Sequence, residues 1–210
     1  MTDFDLRARD WDSDPLKVER ARVVAEAIRR LVPLSPSLSA LEYGCGTGLL
    51  SFFLQPHLGP ITLADSSVGM LEVLREKITA SGLPNLFPLR LDLSTDPLPD
   101  ARFDLIYMSM VLHHVPDTRS LLGALYTLLK APGTLCIADL DKEDGSFHGA
   151  GFDGHHGFDR TALAAELTEV GFAPVHFSTV FQMVKQSSDE ARSYPLFLAV
   201  AQKSSSRLEP

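Results

Sequence analysis

From residue 18 to about 170 the chain alternates between two hydrophobic periods, one of helices and one of strands. Val18, Ala21, Val24, Ala25, Ile28 and Leu31 recur near helical spacing, and Pro33 ends that helix. Ala40, Leu41 and Tyr43 read as a short buried strand. Three glycines at alternate positions then make a loop, and Leu49, Leu50, Phe52 and Phe53 resume a helical pattern. Residues 61–64 form a second strand, and Val68, Leu71, Leu74 and Ile78 mark a helix stopped at Gly82. Residues 87–91 form a third strand that contains Pro88, which cannot donate to a ladder, so this strand belongs at a sheet edge.

Residues 103–108 (FDLIYM) are nearly all apolar, as a parallel strand covered on both faces should be. Asp117 is placed to cap a helix carrying Leu121, Leu122, Leu125, Leu128 and Leu129. Residues 133–138 (GTLCIA) give a fifth strand, and Asp159 can cap a last helix with Leu163, Leu167 and Val170 on one face. Two strands follow, near 175–184 and 196–201, with no helix between them. A parallel repeat that finishes in a hairpin predicts an α/β sheet with one antiparallel strand.

Composition narrows what such a sheet is for. The chain has 210 residues, 45% hydrophobic and 22% charged, which fits a single globular domain with one core. A formal charge of −8 argues against a nucleic-acid face, because phosphate binding needs clustered Lys and Arg. No apolar run approaches the ~20 residues of a membrane span, and the acidic opening MTDFDL is unlike a secretory signal. Cys45 and Cys136 read as separate reduced thiols, so the expected compartment is cytoplasmic.

The glycine loop carries the most chemistry. In LEYGCGTG, Gly44, Gly46 and Gly48 let the backbone approach a flat polar ligand without a Cβ in the way. Asp65, at the tip of the second strand, is placed to accept both hydroxyls of a ribose. The dinucleotide pattern G-x-G-x-x-G fails at its third glycine, where Leu49 stands. The pattern E-x-G-x-G-x-G, with Glu42 leading, resembles motif I of the class I S-adenosylmethionine-dependent methyltransferases. Between Glu42 and Asp65 there is no Lys or Arg, as suits a cofactor without phosphate.

The resemblance spans residues 15–202, strongest over 40–116, and implies a Rossmann-like doubly wound sheet of seven strands, order 3-2-1-4-5-7-6, strand 7 antiparallel. In that family the glycine loop, Cys45 included, passes the methionine portion of the cofactor, and an acid like Glu42 organises the loop near its ammonium group. An acid at Asp92 accepts the adenine amine while the Leu93 N–H meets a ring nitrogen. Ser66 and Met70 follow Asp65 on the adenosine side, and the end of the fourth strand brings Ser109 toward the sulfonium. Residues 1–202 are expected to form one methyltransferase domain, with 1–17 an N-terminal lid whose Trp11 covers the cofactor, and 203–210 a disordered tail.

The segment MSMVLHHVPD is similar to one in many small-molecule methyltransferases, and it sets His113 and His114 near the transfer site as candidate bases. After the fifth strand, DLDKEDGSFHGAGFDGHHGFD holds three histidines and five glycines and reads as a loop over the open end of the site. His155 or His156 is expected to contact the acceptor. No metal is expected, because the histidines lack helical spacing and a cysteine partner. The resulting expectation is methyl transfer to a small molecule by a monomer or homodimer that engages neither nucleic acid nor membrane. Because motif I reports binding rather than turnover, a non-catalytic S-adenosylmethionine-binding protein and a protein methyltransferase stand as alternatives.

Overall fold

The computed structural model describes residues 3–186 and 191–205. One seven-stranded sheet organises them, in the order β3-β2-β1-β4-β5-β7-β6. Its strands are β1 (Ala40–Tyr43), β2 (Ile61–Asp65), β3 (Leu86–Arg90), β4 (Phe103–Ser109), β5 (Leu129–Leu140), β6 (Val175–Gln186) and β7 (Ala191–Lys203). The first five run parallel, and β7 is antiparallel to both β5 and β6. Pro88 pairs with Leu63 on the edge strand β3, where its missing N–H faces no neighbour.

The helices are α1 (Asp3–Arg7), α2 (Pro15–Leu31), α3 (Leu49–Leu54), α4 (Val68–Ser81), α5 (Thr118–Leu128) and α6 (Arg160–Val170). Asp14, Ser67, Asp117 and Asp159 cap α2, α4, α5 and α6 through their side chains, each cap contributing about 1 kcal/mol. Both faces of the sheet are covered, and alternate residues of β4 serve them in turn. Leu105 and Tyr107 pack toward Ile28, Leu54 and Leu74, whereas Ile106 and Met108 pack toward Leu122, Leu125 and Phe172. This two-sided burial is why β4 reads as a continuous apolar run.

Several strand boundaries differ from the sequence expectation. Leu129 opens β5 rather than closing α5, and β5 runs on to Leu140. The hairpin strands are longer, reaching Gln186 and Lys203. Lys203 is therefore strand rather than tail, and its ammonium donates to Tyr126 O at 2.7 Å and Leu129 O at 2.8 Å. Of the expected tail, residues 206–210 lie outside the described residues.

The chain runs from β1 outward to β2 and β3, then crosses back to β4 on the other side of β1. This reversal leaves a crevice beyond the carboxyl ends of β1 and β4, where ligands of such sheets bind.

Candidate active site

A cavity of about 1030 Å³ occupies that crevice. Its size exceeds the roughly 300–1,000 Å³ of pockets that take one small ligand. At one end lie the glycine loop, Asp65, Ser66, Met70, Asp92 and Leu93; at the other lie His113, His114, Phe147, His148 and Phe152; Ser109 and Met110 stand where β4 ends. Among the expected cofactor residues, Trp11, Glu42, Gly44, Cys45 and Gly46 also line it, and Gly48 does not. Gly48 instead caps α3 with φ of 81°.

The loop geometry depends on glycine where the chain passes closest to its neighbours. A Cβ on Gly44, at φ +69°, would come within 2.4 Å of Val111 Cγ2. Asp65 ties the loop down: its Oδ2 accepts from Gly46 N at 2.7 Å and its Oδ1 from Ser67 N at 2.8 Å. Each oxygen keeps a second lone pair for a ligand. Burial raises the Asp65 pKa, and these backbone bonds oppose that shift. Glu42 is buried behind the loop and accepts from Ser51 N at 3.2 Å and from Ser51 Oγ. Burial pushes its pKa up to about 8, against the pull of the Ser51 bonds.

Asp92 organises its own turn, accepting from Ser94 N at 3.0 Å and Ser94 Oγ at 2.5 Å. The Leu93 N–H, expected at an adenine nitrogen, donates to Tyr43 Oη at 3.1 Å.

The N-terminal segment is held against the site at several points. Asp5 Oδ1 accepts from Ser67 Oγ at 2.6 Å and Gly69 N at 3.0 Å. Asp12 accepts from Thr47 Oγ1 in the glycine loop and, at 2.5 Å, from Lys77 Nζ. Trp11 has Lys17 Nζ 4.0 Å above its ring, and Phe4 meets the His114 ring edge-on at 5.4 Å.

At the far end, a single 3₁₀ turn (Leu112–His114) presents His113 and His114. His113 is 1% exposed, with Nδ1 2.7 Å from Asp139 Oδ1 and its backbone N–H donating to Asp139 Oδ2 at 3.2 Å. Opposite a carboxylate, Nδ1 is the ring nitrogen that donates. Nε2 of His113 is buried without a hydrogen-bond partner among the described residues, as is Nε2 of His148. Burial is the main cause holding both His114 and His148 at about 4, with His113 next in each case, so both rings are neutral near pH 7. Arg20 also reaches this end, where its guanidinium donates to Met183 Sδ at 3.7 Å. It forms no ion pair among the described residues.

The loop histidines divide differently from the sequence expectation. His155 donates its backbone N–H to His113 O at 2.8 Å, and its Nε2 lies 3.0 Å from Val115 O. His156 sits half-exposed, with Nδ1 3.5 Å from a Glu143 carboxylate oxygen. Neither lines the cavity; both pin the loop to its surroundings. The tight return that places them needs Gly157, at φ +67°, where a Cβ would lie 2.1 Å from Asp141 O. His148 takes the cavity position instead, stacked on Phe152 at 3.8 Å. Sequence reasoning passed over His148, Phe152 and Asp139; a lone acid ending the apolar run of the fifth strand was the available signal for the last.

A methyltransferase-domain family profile matches residues 16–177. A Schizosaccharomyces pombe methyltransferase is 35% identical over 119 residues, covering 53% of this chain and 42% of that protein. The Listeria monocytogenes demethylmenaquinone methyltransferase is 32% identical over 113 residues, covering 52% and 48%. The chain spans about half the length of the curated relatives it matches. Among solved structures, an Aquifex aeolicus SAM dependent methyltransferase superposes with TM-score 0.66 at 21% identity, over 90% of this chain and 98% of its own. The Haemonchus contortus phosphoethanolamine N-methyltransferase 2, in complex with S-adenosyl-L-methionine, does so with TM-score 0.71 at 16% identity, over 86% and 52%. The profile match, on a sheet with this strand order, places the chain in the class I S-adenosylmethionine-dependent methyltransferase family.

Proposed function

We propose that this chain transfers a methyl group from S-adenosylmethionine to a small, acidic acceptor. The observation that carries the reading is one cavity with two chemically different ends, meeting at Ser109 and Met110. The acidic end fits the cofactor. Asp65 offers free lone pairs for ribose hydroxyls, bare backbone at Gly46 forms part of the wall, and Glu42 lies where an ammonium group would relieve a buried carboxyl. Met70 and Trp11 bring apolar and aromatic surface to the same end.

When bound, the cofactor supplies a methyl group on a positively charged sulfur, an electrophile that an acceptor oxygen, nitrogen, sulfur or activated carbon attacks in line. The residues at the other end orient that acceptor. Phe147 and Phe152 provide flat apolar walls, and Arg20 offers a guanidinium to an anionic group on the acceptor. Such positioning alone can lower a barrier by about 7–11 kcal/mol. The enclosing loop is anchored by His155 and His156, and the N-terminal segment covers the opposite side as a lid. Two features favour a small molecule over a polypeptide or nucleic acid: the aromatic-walled acceptor end and the net charge of −8.

Calorimetric titration of cofactor-stripped protein with S-adenosylmethionine tests the reading. One-to-one saturable binding is expected. Asp65→Ala, which removes both the ribose acceptor and the tether of Gly46, should weaken it by at least about tenfold, one charged hydrogen bond's worth. Equal affinity in the variant, or no binding at millimolar ligand in folded protein, would sink the proposal.

A further inference from the structure

We infer that His113, His114 and His148 form a binding site for a divalent transition-metal ion, of the zinc class, at the acceptor end of the cavity. One nitrogen from each ring lies within 4.8 Å of the others. A tetrahedral ion with bonds of ~2.0–2.1 Å needs its ligand nitrogens ~3.4 Å apart, so modest rotation of the side chains closes the set. His114 and His148, on a turn and a loop, have that freedom.

Three independent features point to an ion rather than to a packed cluster of rings. First, two ring nitrogens of the cluster have no other partner: Nε2 of His113 and Nε2 of His148 are buried and unpartnered among the described residues. Unmade hydrogen bonds of this kind are rare in folded proteins and call for a missing partner. Second, His113 is only 1% exposed and already has the support that metal-bound histidines use. Its Nδ1 is fixed by the Asp139 carboxylate at 2.7 Å, which orients Nε2 and raises its basicity. Third, the surroundings are apolar. Phe152 stacks on His148, Phe4 meets His114, and Phe147 lies edge-on to His148 at 4.8 Å, so water competes poorly for the ion.

Three imidazoles with a fourth position open to a cavity is the ligand set of a catalytic rather than a structural zinc. Linear spacing conceals it, because two ligands are adjacent on a 3₁₀ turn and the third comes from the loop after β5. An acceptor hydroxyl or thiol entering the open position binds as its anion and releases its proton to solvent, which leaves a stronger nucleophile at neutral pH. This acceptor role rests on the methyl-transfer reading; the ion site itself does not.

The test uses the full chain, stripped with chelator and titrated with Co²⁺ and then Zn²⁺. One cobalt per chain is expected, with the intense visible bands of four-coordinate cobalt, displaced by zinc. His148→Ala should weaken binding at least about tenfold, and Asp139→Asn about 10–100-fold, the range for loss of a carboxylate behind a ligand. His57→Ala, far from the cavity, should leave it unchanged. Calorimetry with S-adenosylmethionine on the same samples shows that each variant is folded and tests the methyltransferase reading separately. Protein that binds the cofactor yet takes up no cobalt overturns the ion site alone. Cobalt binding indifferent to His148→Ala overturns it as well, because the ion then sits elsewhere. Cobalt binding without cofactor binding upholds the site and removes the reading.

Discussion

At the scale of single residues, Glu42 holds the sharpest conflict between burial and charge. Its carboxyl is 3% exposed on β1, bonded to Ser51, whose hydroxyl in turn lies 2.6 Å from Tyr107 Oη. Burial pushes its pKa from 4.5 up to about 8. Between those values the folded chain keeps a proton that the unfolded chain has lost. This contribution to stability is therefore complete below pH 4.5 and is lost as pH rises toward 8, at up to about 1.4 kcal/mol per unit. Glu42→Gln preserves an acceptor for Ser51 and removes the titration. Urea unfolding of both proteins at pH 5 and pH 8 should show the variant gaining on the parent as pH rises. A difference that stays constant between the two pH values would mean that Glu42 is ionised throughout. Glu42 and the three glycines lie within seven consecutive residues of one strand and its loop, which is why the sequence shows them as one motif.

At the scale of elements, the N-terminal segment acts as a strap rather than a loose arm. It is joined to the glycine loop through Asp12, which accepts from Thr47 and also from Lys77 on α4, and to α4 again through Arg9 on Glu76. Asp12→Ala breaks the two Asp12 links while leaving Asp5 on Ser67 and Gly69. Faster amide exchange in residues 3–13 is expected, with cofactor affinity reduced about two- to tenfold, on the scale of one or two hydrogen bonds of about 1 kcal/mol. Unchanged affinity with faster exchange would show that the strap moves without covering the cofactor. This segment carries little hydrophobic periodicity, and Trp11 was the one residue that drew attention to it in the sequence. The central elements were clear because burial on both sides imposes a strict pattern, as in β4. The start of β5 was not, because Lys130, Ala131 and Pro132 are exposed and leave no apolar signal.

At the scale of the whole molecule, the limit of sequence reasoning is the assembly of distant segments. The end proposed for the cofactor comes from loops after successive strands, which the strand order brings together. The acceptor end joins a turn after β4, a carboxylate from β5 and one histidine out of three in a single loop. Only the folded chain says that His148 faces inward while His155 and His156 hold the loop. Charge is distributed on the same scale: the net −8 is reinforced at the cofactor end by Asp65 and Asp92. Such a field draws in cations and is screened by salt. S-adenosylmethionine carries a net positive charge through its sulfonium, whereas S-adenosylhomocysteine has lost it, so the two ligands share contacts but differ in steering. Stopped-flow association of the cofactor should slow about two- to tenfold between roughly 0.01 and 0.15 M salt, as the Debye length shrinks from ~30 to ~8 Å. Association of S-adenosylhomocysteine should change little over the same range. Equal salt dependence for both would assign the effect to the protein's own conformation, and the net charge would then have no part in gathering the cofactor.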